Sequence, residues 1–336
     1  MGMTSIGNLT QHYMLQRQNT SIRNQMMSLT QELASGLKTD PGHTTTGGYT
    51  PLSEIDHALK VLAGFDNSIA EARVETTISQ STLETLQNKS SDISSTLITA
   101  SSDTSSTIGP TVSKLAIEEF KSVVSLLNTR IGDSSLFAGA AVDQPALAAP
   151  DKILNSLKTP LAGVVSVQGF KDRLDQWFSS TTSGFSVEAY QGSEHAASGY
   201  QLGESDMVSF AFRADSSEAR DILHDLALAG FASDSEFNFS AADRQHLLRS
   251  AGENLLARQA DLTSIRADLG YVQERIDEAG VKNAAATSSL KIALSEIVSA
   301  DPFETAVKLQ NTQTQLQSLY TVTGRMSQLS LAGYLR

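Results

Sequence analysis

The chain has 336 residues, enough for two or three domains with real cores. Its 25 Lys+Arg stand against 37 Asp+Glu, a formal net charge of -12 without a basic cluster, so nucleic acid and anionic membrane are poor partners. There is no cysteine, which excludes a disulfide scaffold, thiol chemistry and cysteine-ligated zinc, and no apolar run approaches a membrane span.

Ser5 to Ser35 reads as an amphipathic helix. Leu15, Ile22 and Leu29 form one seven-residue column, Met26 and Leu33 the other, and the opposite face is Gln, Asn, Arg and Thr. Ser35-Gly36 is a stop signal, because glycine accepts the left-handed conformation that ends helices. Asp40 to Pro51, with Pro41, Gly42, Gly47 and Gly48, is a loop. A second helix runs from Leu52 to about Thr107, with Ile55, Leu62, Ile69, Leu83 and Leu97 in register and Thr76 and Ser90 as polar members. Gly109-Pro110 resets the chain, and a helix follows to about Arg130 with Val112, Ala116, Val123 and Leu127 on one face.

From about 150 to 213 the period changes. Val164–Val167, Phe185–Ala189 and Val208–Phe212 read as strands of a small domain whose core takes Trp177 and Phe178. Ser217 to Ala229 is a short helix. Ser240 to Ser299 then carries the longest pattern. Leu248, Leu255, Leu262, Leu269 and Ile276 recur every seven residues, pass through Asn283 and resume at Leu290 and Ile297. A second column holds Ala251, Arg258, Ile265, Val272, Ala279, Ala286 and Ala293. One helix of this span would be roughly 90 Å long and would need partner helices to hide its stripe. Ser240 and Asp243 form its start cue, and Asp301-Pro302 ends or bends it. A last helix runs from Phe303 to about Ser330, with Leu309, Leu316, Leu319, Val322, Met326 and Leu329 as its stripe and Thr312 and Thr323 beside it.

The expected fold is therefore mainly α: a long coiled-coil-like helical rod built from both chain ends, antiparallel or parallel, with a small inserted α+β middle domain. The expected divisions are 1–40 and 301–336 as terminal assembly helices, 41–145 and 239–300 as the two halves of the rod, and 146–238 as the insert. The expected assembly interface is Leu15, Ile22, Met26, Leu29, Leu33, Leu309, Leu316, Leu319, Val322, Met326 and Leu329.

Sequence motifs give no reason to expect catalysis, a cofactor or a metal. The six histidines, His12, His43, His57, His195, His224 and His246, include no helical metal pair, and there is no Gly-x-Ser-x-Gly elbow, Walker A loop or dinucleotide fingerprint. Asp56, Asp66, Glu71 and Glu75 read as a solvated helix face. Asp261, Asp268, Glu274, Asp277 and Glu278 read the same way, with Arg258, Arg266 and Arg275 available for pairs along the helix or for choosing partner helices. An enzymatic or carbohydrate-active alternative would need a pocket around Trp177, Tyr190 and Glu188.

Three segments, in order and at opposite ends, carry a family resemblance. They are Leu29-Thr30-Gln31-Glu32-Leu33-Ala34-Ser35-Gly36-Leu37-Lys38, Leu269-Gly270-Tyr271-Val272-Gln273-Glu274-Arg275-Ile276, and Leu316-Gln317-Ser318-Leu319-Tyr320 with Ser327-Gln328-Leu329-Ser330-Leu331 and Tyr334-Leu335. Over about 1–140 and 240–336 the chain resembles the flagellin superfamily of bacterial flagellar axial proteins. The opening Ser5-Ile6-Gly7-Asn8-Leu9 and the segment Leu136-Phe137-Ala138-Gly139 are most similar to the branch that joins hook to filament. The sequence departs from the family pattern at Leu319, where many relatives carry serine, and in the threonine-glycine loop after Asp40-Pro41-Gly42.

The resemblance implies a structural role without catalysis. It implies terminal helices that are disordered when free and order in an inner core, and a middle region that faces outward. It implies as partners the first hook-associated (junction) protein, flagellin, further copies in a ring, a cytosolic export chaperone and the type III export apparatus. The expected location is the extracellular flagellum, reached without a cleaved signal, since Met1 to Thr30 has no apolar signal core. The alternative within the superfamily is a filament-forming flagellin.

Overall fold

The computed structural model describes the backbone of residues 3–44, 48–103 and 108–334, and the side chains of 10–42, 48–103 and 108–326. The expected helix end at 104–107, the side chains of Ser5–Leu9 and of 327–334, Leu329 among them, and Leu335 lie outside the described residues. The chain is mainly α, with long helices and two small antiparallel sheets. It divides into two compact units, Met1–Leu62 with Ala284–Arg336, and Ala63–Asn283.

In the first unit, α1 (Met3–Ser35) and α10 (Pro302–Tyr334) pair antiparallel, and the stretch expected as a loop holds a one-turn helix, α2 (Pro41–Thr44). Gln11 reaches Met326, and Arg23 Nη2 donates to Tyr320 Oη at 2.7 Å. α1 stops as expected: Gly36 has φ 71° and its amide donates to Glu32 O at 2.8 Å. The segment after it forms an antiparallel bridge between Leu37 and Ser299, in which Lys38 N donates to Val298 O and Ala300 N to Gly36 O. Asp301-Pro302 ends one helix and starts the next. The Asp301 carboxylate accepts from Phe303 N at 2.8 Å and Glu304 N at 3.1 Å, and Pro302 takes the first helical position, where no amide donor is needed.

In the second unit, α3 (Thr50–Ser101, which enters the unit at Ala63) lies antiparallel to α8 (Ala241–Ala257) and the part of α9 (Gln259–Val298) up to Asn283. The buried positions of α3 alternate three and four residues apart: Ile69, Ala72, Thr76, Ser79, Leu83, Leu86, Ser90, Ile93, Leu97 and Ala100. Opposite them Leu248, Ala251, Leu255, Leu262, Leu269, Ile276, Ala279 and Asn283 are buried. Ser94 bonds Gly252 O, Gln87 meets Thr263 and Arg266, Arg73 pairs with Asp277, and Asn283 bonds Asp66. Polar members are tolerated because a hydroxyl on a helix can satisfy itself: Thr76 Oγ1 donates to Ala72 O at 2.8 Å.

Ser240 and Asp243 form the expected capping box, but the long helix that follows is not continuous. Arg258 interrupts it with φ -67° and ψ -10°, between α8 and α9. The expected apolar column places an arginine at this point, and its guanidinium cannot stay in the seam. It turns instead to Asp221 at 3.1 Å and Asp225 at 3.9 Å.

The rest of this unit is a helical cluster of α4 (Ile108–Leu127), α5 (Pro150–Leu161), α6 (Val167–Ser179) and α7 (Ser217–Phe231). None of the three expected strands forms over its length: the first is a loop leading into a helix, the second a helical turn, and of Val208–Phe212 only Val208 is in a strand. Val165 is 93% exposed in a loop, Ser166 is the N-cap of α6, and Phe185–Ala189 is a single π-helical turn entered through Gly184 at φ 61°. An alternating run that contains a capping serine mimics a strand. The actual strands are two residues long: β1 (Arg130–Ile131) with β2 (Ser134–Ser135), and β3 (Tyr200–Gln201) with β4 (Met207–Val208). Trp177, Phe178 and Phe185 pack with ring centroids 4.8–6.0 Å apart, as core residues. α4 and α7 approach closely, because a Cβ on Gly230 would lie 2.4 Å from Ile117 Cδ1.

Candidate assembly surfaces

The two terminal helices divide their side chains between an inner seam and an outer face. On α1 the seam positions are Leu15, Asn19, Ile22, Met26, Leu29 and Glu32, spaced by four and three residues. On α10 they are Thr305, Leu309, Thr312, Leu316, Leu319, Thr323 and Met326. Ile22, Leu29, Leu319, Thr305 and Thr312 are buried, and the other members are half-buried. Thr312 Oγ1 donates to Lys308 O at 2.8 Å and Thr323 Oγ1 to Leu319 O at 2.7 Å, so the threonines enter the seam without an unpaired hydroxyl.

Of the stripe residues singled out in the sequence, eight therefore meet in this seam: Leu15, Ile22, Met26, Leu29, Leu309, Leu316, Leu319 and Met326. Leu33 and Val322 do not. They are 40% and 49% exposed: Val322 is one step off the seam register, and Leu33 keeps the register but stands open near the end of α1, where Glu32 is half-buried instead. Further large apolar side chains are exposed: Tyr13, Met14 and Met27 on α1, and Phe303, Val307 and the ring of Tyr320 on α10, whose hydroxyl reaches Arg23. None of these belongs to the apolar stripes read from the sequence. The available signal was their presence opposite a stripe that already accounts for the pairing. Water-exposed apolar side chains repeated along two paired helices mark a surface suited to association.

Electrostatics on this face is sparse. Tyr320 has its pKa lowered by the bonds its hydroxyl accepts from Arg23 and Asn19. Lys308 pairs with Glu304, and both are exposed, so this pair holds side-chain positions more than it stabilises.

In the second unit the arginines do not pair along their own helix. Arg258 meets α7, Arg266 meets Glu84 on α3, and Arg275 meets Asp206. Glu278 alone of the carboxylates beside them pairs along the helix, with Lys282. Trp177 and Tyr190 are buried while Glu188 is exposed. Tyr190 donates to Ser193 O at 2.9 Å, and burial pushes its pKa up to about 12. Among the described residues no group of three or more His, Asp or Glu side chains is placed to hold a metal ion, and no helix is long and apolar enough to cross a membrane.

No curated protein matches the chain. A family match falls on the end of α8, on α9 and on α10, and so takes in one whole side of the seam and its outer face. Residues 255–335 match the family model of the bacterial flagellin C-terminal helical region, so this helical end is similar to that part of flagellin.

Proposed function

We propose that the chain is a structural subunit of the bacterial flagellum, and that within the flagellin superfamily it acts as hook-associated protein 3, forming a junction ring between the hook-side junction protein and the flagellin filament. The observation that carries the structural reading is the pairing of α1 with α10, of which α10 lies inside the region that matches the flagellin C-terminal model, with apolar side chains left on the outer face of the pair. Such a pair offers neighbours a ready-made apolar surface, while the seam keeps the two chain ends in register. In this reading the seam residues and Leu33, Val322 and Leu329 form the assembly interface. The terminal segments 1–40 and 301–336 occupy the inner core, 41–145 and 239–300 form the next layer, and 146–238 faces outward.

The junction reading further rests on the resemblance at Ser5–Leu9 and at Leu136–Gly139, where Phe137 and Ala138 are fully buried and Gly139 has φ 61°. It implies the first hook-associated protein, flagellin and other copies of the chain as partners, and export with a cytosolic chaperone through the type III apparatus to the outside of the cell.

A second reading has its own support, since the matching family model is that of flagellin itself. Under it the chain builds the filament. Electron microscopy of cells lacking the gene, with immunoblots of the medium, separates the two. The junction role gives hooks without filaments and flagellin lost to the medium. Normal hook–filament joints overturn it, and long filaments grown from the purified protein favour flagellin.

A further inference from the structure

A polar cluster, buried at Asp225 and open to solvent at Asp175, lies where α6, α7 and the α8–α9 break meet. His224 on α7 is its centre. Its Nε2 lies 2.7 Å from the Asp175 carboxylate of α6, and its Nδ1 lies 3.0 Å from the Asp225 carboxylate. Asp225 is 1% exposed, and Asn254 of α8 donates to its Oδ1 at 3.0 Å. Arg258, the residue of the break, is held by Asp221 and approaches Asp225 Oδ2, which has no hydrogen-bond partner.

The cluster borders a cavity of about 340 Å³ that also touches Arg220 and Ser217. Three carboxylates, two guanidiniums and one imidazolium cancel there, so neither an anion nor a cation is favoured. The arrangement reads instead as a lock among helices. Remove the imidazolium proton, and Asp175 and Asp225 face each other across a neutral ring.

We infer that His224 is a pH-sensitive latch, which holds α7 against α6 while protonated and loosens that contact in alkaline solution. The groups facing it are Asp175, with Lys171 behind, from α6; Arg220, Asp221 and Asp225 from α7; Asn254 from α8; and Arg258 from the break. Burial opposes the charged ring, but Asp175 and Asp225 outweigh it and push the pKa up to about 9. The Asp175 carboxyl is lowered in return by its bond to His224. A folded pKa above the unfolded one stabilises the fold fully below the unfolded value, and this contribution is lost as pH rises through the folded value. The latch is thus closed at neutral pH.

The single tryptophan reports on it. Trp177 packs edge-on to Phe178, whose ring meets His224 with centroids 5.5 Å apart. The full chain is titrated by tryptophan-selective fluorescence, together with hydrogen exchange of the α6 amides at 171–179. A transition centred near pH 9 is expected, with faster exchange above it. Asp175→Asn, at a side chain 63% exposed, keeps the fold and moves the midpoint down by about one pH unit. His224→Gln removes the transition. An unmoved midpoint in Asp175→Asn, a transition that persists in His224→Gln, or no transition below the tyrosine range would each overturn the inference; if His224→Gln does not fold, the Asp175→Asn midpoint decides.

Discussion

Single residues set how closely the long helices approach. Gly252 sits in the α3–α8 seam, where a Cβ would lie 2.8 Å from Ile98 Cγ1 and 3.0 Å from Ser94 O. Its carbonyl also accepts the Ser94 hydroxyl at 2.8 Å. Gly252→Val is expected to destabilise the second unit by about 1–3 kcal/mol through overpacking, read as a lower urea midpoint with an unchanged slope. An unchanged midpoint would show that α3 and α8 can separate at no cost. At this scale the sequence disclosed what depends on neighbours along the chain. Ser240 with Asp243, Ser35-Gly36 and Asp301-Pro302 are local signals, and each acts as its chemistry requires. It did not disclose His224, because one of the two carboxylates that charge it, Asp175, stands on α6 and is brought to the ring only by packing.

Whole elements were legible where a stripe had to be hidden for many turns. The columns of α3, α8 and α9 are visible in the sequence because a seam between two helices demands regular burial. The break at Arg258 was visible only as an exception, an arginine in an apolar column, and its meaning lies on α7. α5 and α6 were missed for a different reason. Ile153, Leu154, Leu157 and Leu161, and Phe170, Leu174, Trp177 and Phe178, do have helical spacing, but these are helices of twelve and thirteen residues flanked by glycine, proline and β-branched residues. Short apolar runs in such a setting resemble strands.

The division of the terminal helices into seam and face gives a paired test. Leu316→Asp puts a carboxylate into the seam and is expected to lower helical circular dichroism, to leave the second unit folded and to block incorporation into hooks. Val322→Asp changes the outer face alone. It should leave the circular dichroism of the free protein unchanged and still reduce incorporation severalfold. Normal incorporation of Leu316→Asp would remove the case for the seam, and normal incorporation of Val322→Asp the case for the face.

For the molecule as a whole, the match to flagellin covers the C-terminal helices, and the fold shows what those helices do with their apolar residues. The helical cluster of the second unit holds most of the aromatic core, while the first unit buries very little. Its buried positions among the described residues include two threonines, Thr305 and Thr312, beside Ile22, Leu29, Ala300 and Leu319. Those threonines have a thermodynamic consequence. Heat capacity rises on unfolding in proportion to the apolar area exposed, and polar area acts against it. Melting the α1–α10 pair should therefore absorb heat over a broad, low-temperature shoulder with a small heat-capacity step, ahead of the sharp transition of the second unit. Scanning calorimetry of the full chain would show this as two unequal events, and one sharp peak would contradict it. A chain end that gives up its own partner at so small a thermal cost is free to trade it for a neighbour's.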